Sequence, residues 1–178
     1  MNQRKRIVII TEDSIPDRSI NGYAVPAQST FSGLFREVRI FSEKLNVILP
    51  TELLIISSKY GLIGKNTTIN IYDNKILKIE DISELDKKTS FVKQLSEKVE
   101  GAYIILFLLP APYLKYLMHI GWITGILKNH KIIMVTGRRL RNNLLNNPDI
   151  IYLERKGVAR IGLRNQELII NIIASYEN

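Results

Sequence analysis

The 178-residue chain contains no cysteine and only two histidines. The first absence excludes disulfides, thiolate catalysis and cysteine-ligated zinc, and the second argues against a histidine-rich metal centre. No cofactor, metal or organic, is expected. His119 and His130 read as a core or helix-end residue and a surface one, and the single tryptophan, Trp122, reads as core. Long apolar runs are scarce too. The one stretch that resembles a membrane span, 102–127, contains Pro110, Pro112, Lys115 and His119. Its longest charge-free run, Gly101 to Leu114, is too short to cross a bilayer as a helix. The start, MNQRKRIVIITED, is basic but has only a short apolar run and no small-residue cleavage site. It reads as a first strand, not a signal peptide, so a cytoplasmic location with no membrane partner is the expectation.

Acidic residues are the scarcer charge, 17 against 25 Lys and Arg, which leaves a net charge of +8 and a pI near 9.7. That balance favours polyanionic partners, nucleic acid first and nucleotides or an anionic membrane face second. An apolar fraction of 46% with 24% charged residues is that of an ordinary globular protein. The length suits one domain, 1–178. High Ile, Lys and Asn without Cys fits a thermophile with an AT-rich genome.

Four continuous apolar runs predict strands: RIVII (6–10), LLIIS (53–57), YIILFLL (103–109) and KIIMV (131–135). Continuity rather than alternation marks strands buried on both faces of a parallel sheet. IIYLE (150–154) is a possible fifth. Between them lie helical spacings: Phe31 to Leu45 with Ser29 or Thr30 as N-cap, Ile82 to Val99, Pro112 to Ile126, and Arg164 to Tyr176. The stretch 61–81 predicts a hairpin or a loop over the strand ends. The fold class expected is α/β: a single three-layer domain whose mainly parallel sheet of four to five strands is flanked by helices.

In such sheets ligands bind beyond the carboxyl ends of the strands. Here those ends carry Thr11-Glu12-Asp13-Ser14, then SSKYG (57–61), then Pro110-Ala111-Pro112-Tyr113, then Thr136-Gly137-Arg138-Arg139. All four are expected to meet on one rim. Asp13 and Glu12 are candidate catalytic carboxylates, or else cap and loop charges; if both are buried, they hold one another's pKa values apart. Asp73 is a third candidate acid beside Tyr72, a stacking platform or part of a β-turn. Ser57, Ser58, Lys59, Tyr60 and Gly61 offer hydroxyls, backbone N–H groups and an ammonium at a sharp turn, a cradle for phosphate or a base edge, or simply a capped turn. Tyr113 joins the substrate-binding candidates. From Lys128 to Arg164 nine Lys or Arg face two acids, Asp149 and Glu154. Within that tract Arg138, Arg139 and Arg141, and Arg155, Lys156 and Arg160, suit contacts with phosphates, or form a solvated basic face.

Two stretches, "VPAQSTFSGLFREVRIFSEKL" (25–45) and "LLIISSKYGLIGKNTTINIYD" (53–73), carry a resemblance. Together they resemble an uncharacterised bacterial, archaeal and phage family whose members carry P-A, F and a helix, then a SAKYGL motif, a loop and P-Y-D. The chain is similar, more distantly, to the YaaA family of peroxide-stress proteins, which has an S-x-x-Y-G-L element. The match covers about residues 6–73. Members often have a Cys and lysines after the first strand, where this chain has Thr11, Glu12 and Asp13, and their proline before Tyr-Asp is Ile71 here. The resemblance implies a uracil-DNA-glycosylase-like α/β layout, an association with DNA and removal of modified bases by glycosidic cleavage. The expectation is thus a DNA glycosylase-like enzyme that cleaves or exchanges an N-glycosidic bond, with DNA a better partner than RNA. Asp13, Glu12 or Asp73 would stabilise the sugar cation and orient water, Ser58 and its turn would hold the base or phosphate, and Gln28 would read a base edge. A non-catalytic nucleic-acid-binding protein and an enzyme of free nucleosides or nucleotides stand as alternatives.

Overall fold

In the computed structural model the described residues are 5–17, 19, 23–138, 140 and 149–176. Arg139 and Arg141 lie outside them. The strands are β1 (Ile7–Glu12), β2 (Val25–Pro26), β3 (Thr51–Ser57), β4 (Gly61–Gly64), β5 (Thr68–Ile69), β6 (Ile104–Leu108), β7 (Lys131–Thr136) and β8 (Ile150–Glu154). The helices among the described residues are α1 (Ala27–Thr30), α2 (Leu34–Ile48), α3 (Ile79–Thr89), α4 (Phe91–Val99), α5 (Ala111–His119), α6 (Trp122–Ile126) and α7 (Leu163–Ser175). Six strands form one sheet in the order β4-β3-β1-β6-β7-β8, and β2 pairs with β5 separately. Five of the six are parallel, with β4 antiparallel to β3 at one edge.

The continuous apolar runs are buried on both faces because helices cover both. Val8, Ile10, Ile56, Ile105, Phe107 and Met134 pack against α3, α4 and α5. Ile7, Ile9, Leu53, Ile55, Leu106 and Val135 pack against α2 and α7. Period-two alternation therefore sends Thr11 and Ser57 to the α2 side and Glu12 to the α5 side of the sheet end.

Four expectations need correction. The sheet has a sixth strand, because the segment after SSKYG doubles back: Gly61, at φ +75°, closes the turn Ser58–Tyr60 and pairs with Ser57. A Cβ at Gly61 would stand 2.5 Å from Thr89 Oγ1, so only glycine lets the hairpin seat against the end of α3. The pattern over 82–99 is two helices, broken at Ser90, the one non-glycine residue with positive φ among the described residues. Likewise Gly121, at φ +74°, divides the 112–126 pattern into α5 and α6. Ser29 and Thr30 sit inside the short α1, and Gly33 precedes α2. Among the described residues no helix is long and apolar enough to cross a membrane.

Taken in chain order, the parallel strands run 2-1-3-4-5 across the sheet. The chain leaves β1 toward β3 on one side and later returns to β6 on the other. The carboxyl end of β1 thus adjoins the point where the order reverses, where crossovers diverge and open a crevice.

Candidate functional site

Asp13 follows β1 and is 2% exposed. Its Oδ2 accepts the Ser58 backbone N–H at 2.7 Å, the Ser58 hydroxyl at 2.8 Å and the Tyr72 hydroxyl at 2.7 Å. Among the described residues no hydrogen bond ends on Oδ1. Tyr72 OH also lies 2.6 Å from Ser57 Oγ, which accepts the N–H groups of Lys59 and Tyr60. Ser58 Oγ accepts from the Lys75 N–H at 3.3 Å. One carboxylate oxygen thus ties together the end of β1, the SSKYG turn and the segment around Tyr72. Burial pushes Asp13 above the usual carboxylate range, while the Tyr72 and Ser58 donors and the Arg160 charge pull the other way. Burial, with the Asp13 charge behind it, also drives Tyr72 far upward, so this phenol stays protonated.

Glu12, on the other face, is pushed up to about 7, chiefly by burial and further by Asp13, against the opposing charges of Arg160 and Arg155. Of the two adjacent buried carboxylates, Asp13 raises the proton affinity of Glu12, whereas Asp13 itself is shifted by its burial, its hydrogen-bond donors and Arg160. Arg160, 5% exposed, lies in the loop between β8 and α7, which reaches back over the rim to β1. Its guanidinium donates to Thr11 Oγ1 at 3.0 Å, to the carbonyls of Glu12 and Asp13, and to Glu12 Oε1 at 3.3 Å. Burial lowers its proton affinity, and the charges of Glu12 and Asp13 offset that only in part. Among the described residues its Nε is buried without a partner, as is the hydroxyl of Tyr113 on the first turn of α5. Tyr113 is pushed far up by burial and by the charges of Glu12 and Asp13, with Arg160 opposing, so its phenol feels all three groups.

Beside the tie lies a groove of about 430 Å³. Ser58, Lys59, Tyr72, Asp73 and Lys75 form one wall, and Asp81, Glu84 and Lys88 of α3 the other. The Lys59 ammonium sits 5.1 Å from the ring centre of Tyr60 and 5.6 Å from that of Tyr72. Those rings meet edge to face at 5.4 Å.

The structure therefore brings together Glu12, Asp13, Ser57, Ser58, Lys59, Tyr60, Gly61, Tyr72, Tyr113 and Arg160, and leaves other candidates apart. Asp73 is exposed on the groove wall. Gln28 bonds Asn66 at 2.9 Å, at the far end of the β3–β4 hairpin from Ser58. Arg138, exposed, follows β7 on the same rim. Arg155 is half-buried beside Glu12 and Arg160, and Lys156 lines a separate shallow hollow between β8 and α7. Arg160, expected to meet phosphate, instead spends its donors on β1. Tyr72 is edge-on and buried among Phe31 and Tyr60, so its ring offers no open face for stacking. Sequence reasoning missed the Arg160 clamp because nothing local distinguishes it from the other cations of its tract. Among the described residues no three His, Asp or Glu side chains gather as a metal-binding group. The chain matches no family model, no curated protein and no solved structure.

Proposed function

We propose that the protein acts on nucleic acid, DNA in preference to RNA, cleaving or exchanging the N-glycosidic bond of an extruded modified base. The observation that carries this reading is the buried carboxylate pair, Glu12 and Asp13, at the reversal point of the sheet. Breaking a glycosidic bond builds positive charge on the sugar and requires a base for water. Asp13, whose Oδ1 takes no hydrogen bond from any described residue, suits the first task. Glu12, balanced near neutrality, suits proton exchange. Lys59, Lys75, Arg138 and Arg155 supply positive charge around the rim for the strand backbone.

The test is incubation with oligonucleotides carrying varied base modifications, scored for free base or abasic sites. Asp13→Asn is expected to cut turnover at least about a hundredfold with binding retained. Turnover that survives Asp13→Asn, Glu12→Gln and Asp73→Asn alike removes the carboxylates from the mechanism. One observation favours a second reading: Asp13 Oδ2 holds three chain segments together, a structural duty in its own right. Binding with a steep salt dependence and no product on any substrate then marks a non-catalytic binding protein, and turnover of free nucleosides alone marks a small-molecule enzyme.

A further inference from the structure

We propose that Tyr72 is the positioning residue of Asp13: its hydroxyl, locked by Ser57 into a single donor direction, keeps the carboxylate an acceptor and leaves Oδ1 for substrate. The role of Oδ1 rests on the reading above; the lock does not.

The direction follows from counting lone pairs. A backbone N–H can only donate. Ser57 Oγ receives two of them, from Lys59 at 3.2 Å and Tyr60 at 3.0 Å, which fills both its lone pairs. Its own proton must then go to the one remaining neighbour, Tyr72 OH, at 2.6 Å. Tyr72, having accepted there, must donate to Asp13 Oδ2 at 2.7 Å. Ser58 adds a backbone N–H and a hydroxyl to the same oxygen. Every hydrogen bond in the chain points at Asp13, and each link polarises the next. A neutral Asp13 would carry its proton on Oδ1, the oxygen that no described residue donates to, so the lock governs how readily that atom acts as an anion. The charged and titratable groups around Asp13 are Glu12 on β1, Arg160 from the β8–α7 loop, Tyr113 on α5 and Tyr72, with Lys59 over the Tyr72 ring.

The measurement is the carboxyl carbon-13 titration of Asp13 in the full chain, without substrate. Tyr72→Phe keeps the edge contacts to Phe31 and Tyr60 but removes the donor. The proton affinity of Asp13 is expected to rise about tenfold. Ser57→Ala, which frees the Tyr72 hydroxyl to turn, is expected to raise it about threefold. In the wild type the Tyr72 hydroxyl proton should exchange slowly with solvent. An unchanged Asp13 titration in folded Tyr72→Phe overturns the proposal. If that variant does not fold, a rapidly exchanging wild-type hydroxyl together with an unchanged titration in Ser57→Ala overturns it. On any oligonucleotide found to be a substrate, Tyr72→Phe should lower kcat and move the acidic limb of the pH profile upward, with KM held. Absence of product on every oligonucleotide sinks the functional reading and leaves the titration to decide the lock.

Discussion

The two ends of β1 are each held by an arginine, and the two clamps are made alike. At the amino end Arg6 donates to Glu52 at 2.6 Å and to the carbonyls of Lys98 and Glu100. At the carboxyl end Arg160 donates to Glu12 and to the carbonyls of Glu12 and Asp13. The partners differ little, but their exposure differs greatly. The Arg6 and Glu52 side chains are 28% and 36% exposed, against 5% and 21% for Arg160 and Glu12. In water the first pair saves little and loses little. The second has surrendered hydration, so Glu12 is pushed up to about 7 and two buried donors, Arg160 Nε and Tyr113 OH, go without partners among the described residues. The difference teaches that burial, not the choice of residues, separates a fastening from a candidate site: the same motif is solvated at one rim and electrostatically loaded at the other.

The most forceful way to break that comparison is to remove each arginine. Arg160→Ala leaves two buried carboxylates uncompensated and should cost about 3–5 kcal/mol in denaturant unfolding. Arg6→Ala should cost about 1 kcal/mol. Equal losses would mean that exposure does not matter here. Next comes pH. Glu12 has a folded pKa of about 7 against 4.5 for the free side chain, so the folded state binds its proton more tightly. Its contribution is therefore fully present below pH 4.5 and is lost as pH rises through 7, a decline of up to roughly 3 kcal/mol. Glu12→Gln should flatten that decline in thermal or denaturant unfolding followed from pH 4 to 8. A wild-type profile flat over the window would show Glu12 to be ordinary.

Much of this architecture was legible in the chain. The unbroken runs around Ile9, Leu54, Leu106 and Ile133 carry the mark of strands covered on both faces, and parallel order then places Asp13 and Ser58 on one rim. What could not be read depends on contacts distant in sequence. Arg160 meets β1 across nearly 150 positions, and its local stretch, RKGVAR, looks like any solvated basic loop. Nor does an NIYD segment disclose that its tyrosine points inward to Asp13 and not outward to a base. The helix breaks at Ser90 and Gly121 were hidden for a different reason: apolar spacing continues across them, and only backbone angles record the interruption.

The subtlest test lies within α5, where two tyrosines one turn apart have opposite fortunes. Tyr116 OH donates to Asp86 at 2.8 Å, while Tyr113 OH has no partner among the described residues. Removing a satisfied donor costs about 1 kcal/mol, whereas removing a buried orphan relieves an unpaid desolvation. Tyr116→Phe should therefore destabilise by about 1 kcal/mol and Tyr113→Phe should be neutral or stabilise by up to about 1 kcal/mol. If the proposed glycosidic chemistry uses this rim, the Tyr113 hydroxyl is a desolvation cost kept for function. Tyr113→Phe should accordingly keep or gain stability while losing turnover, and a variant that loses stability instead would place an acceptor against that hydroxyl and return the carboxyl rim to the same footing as the amino one.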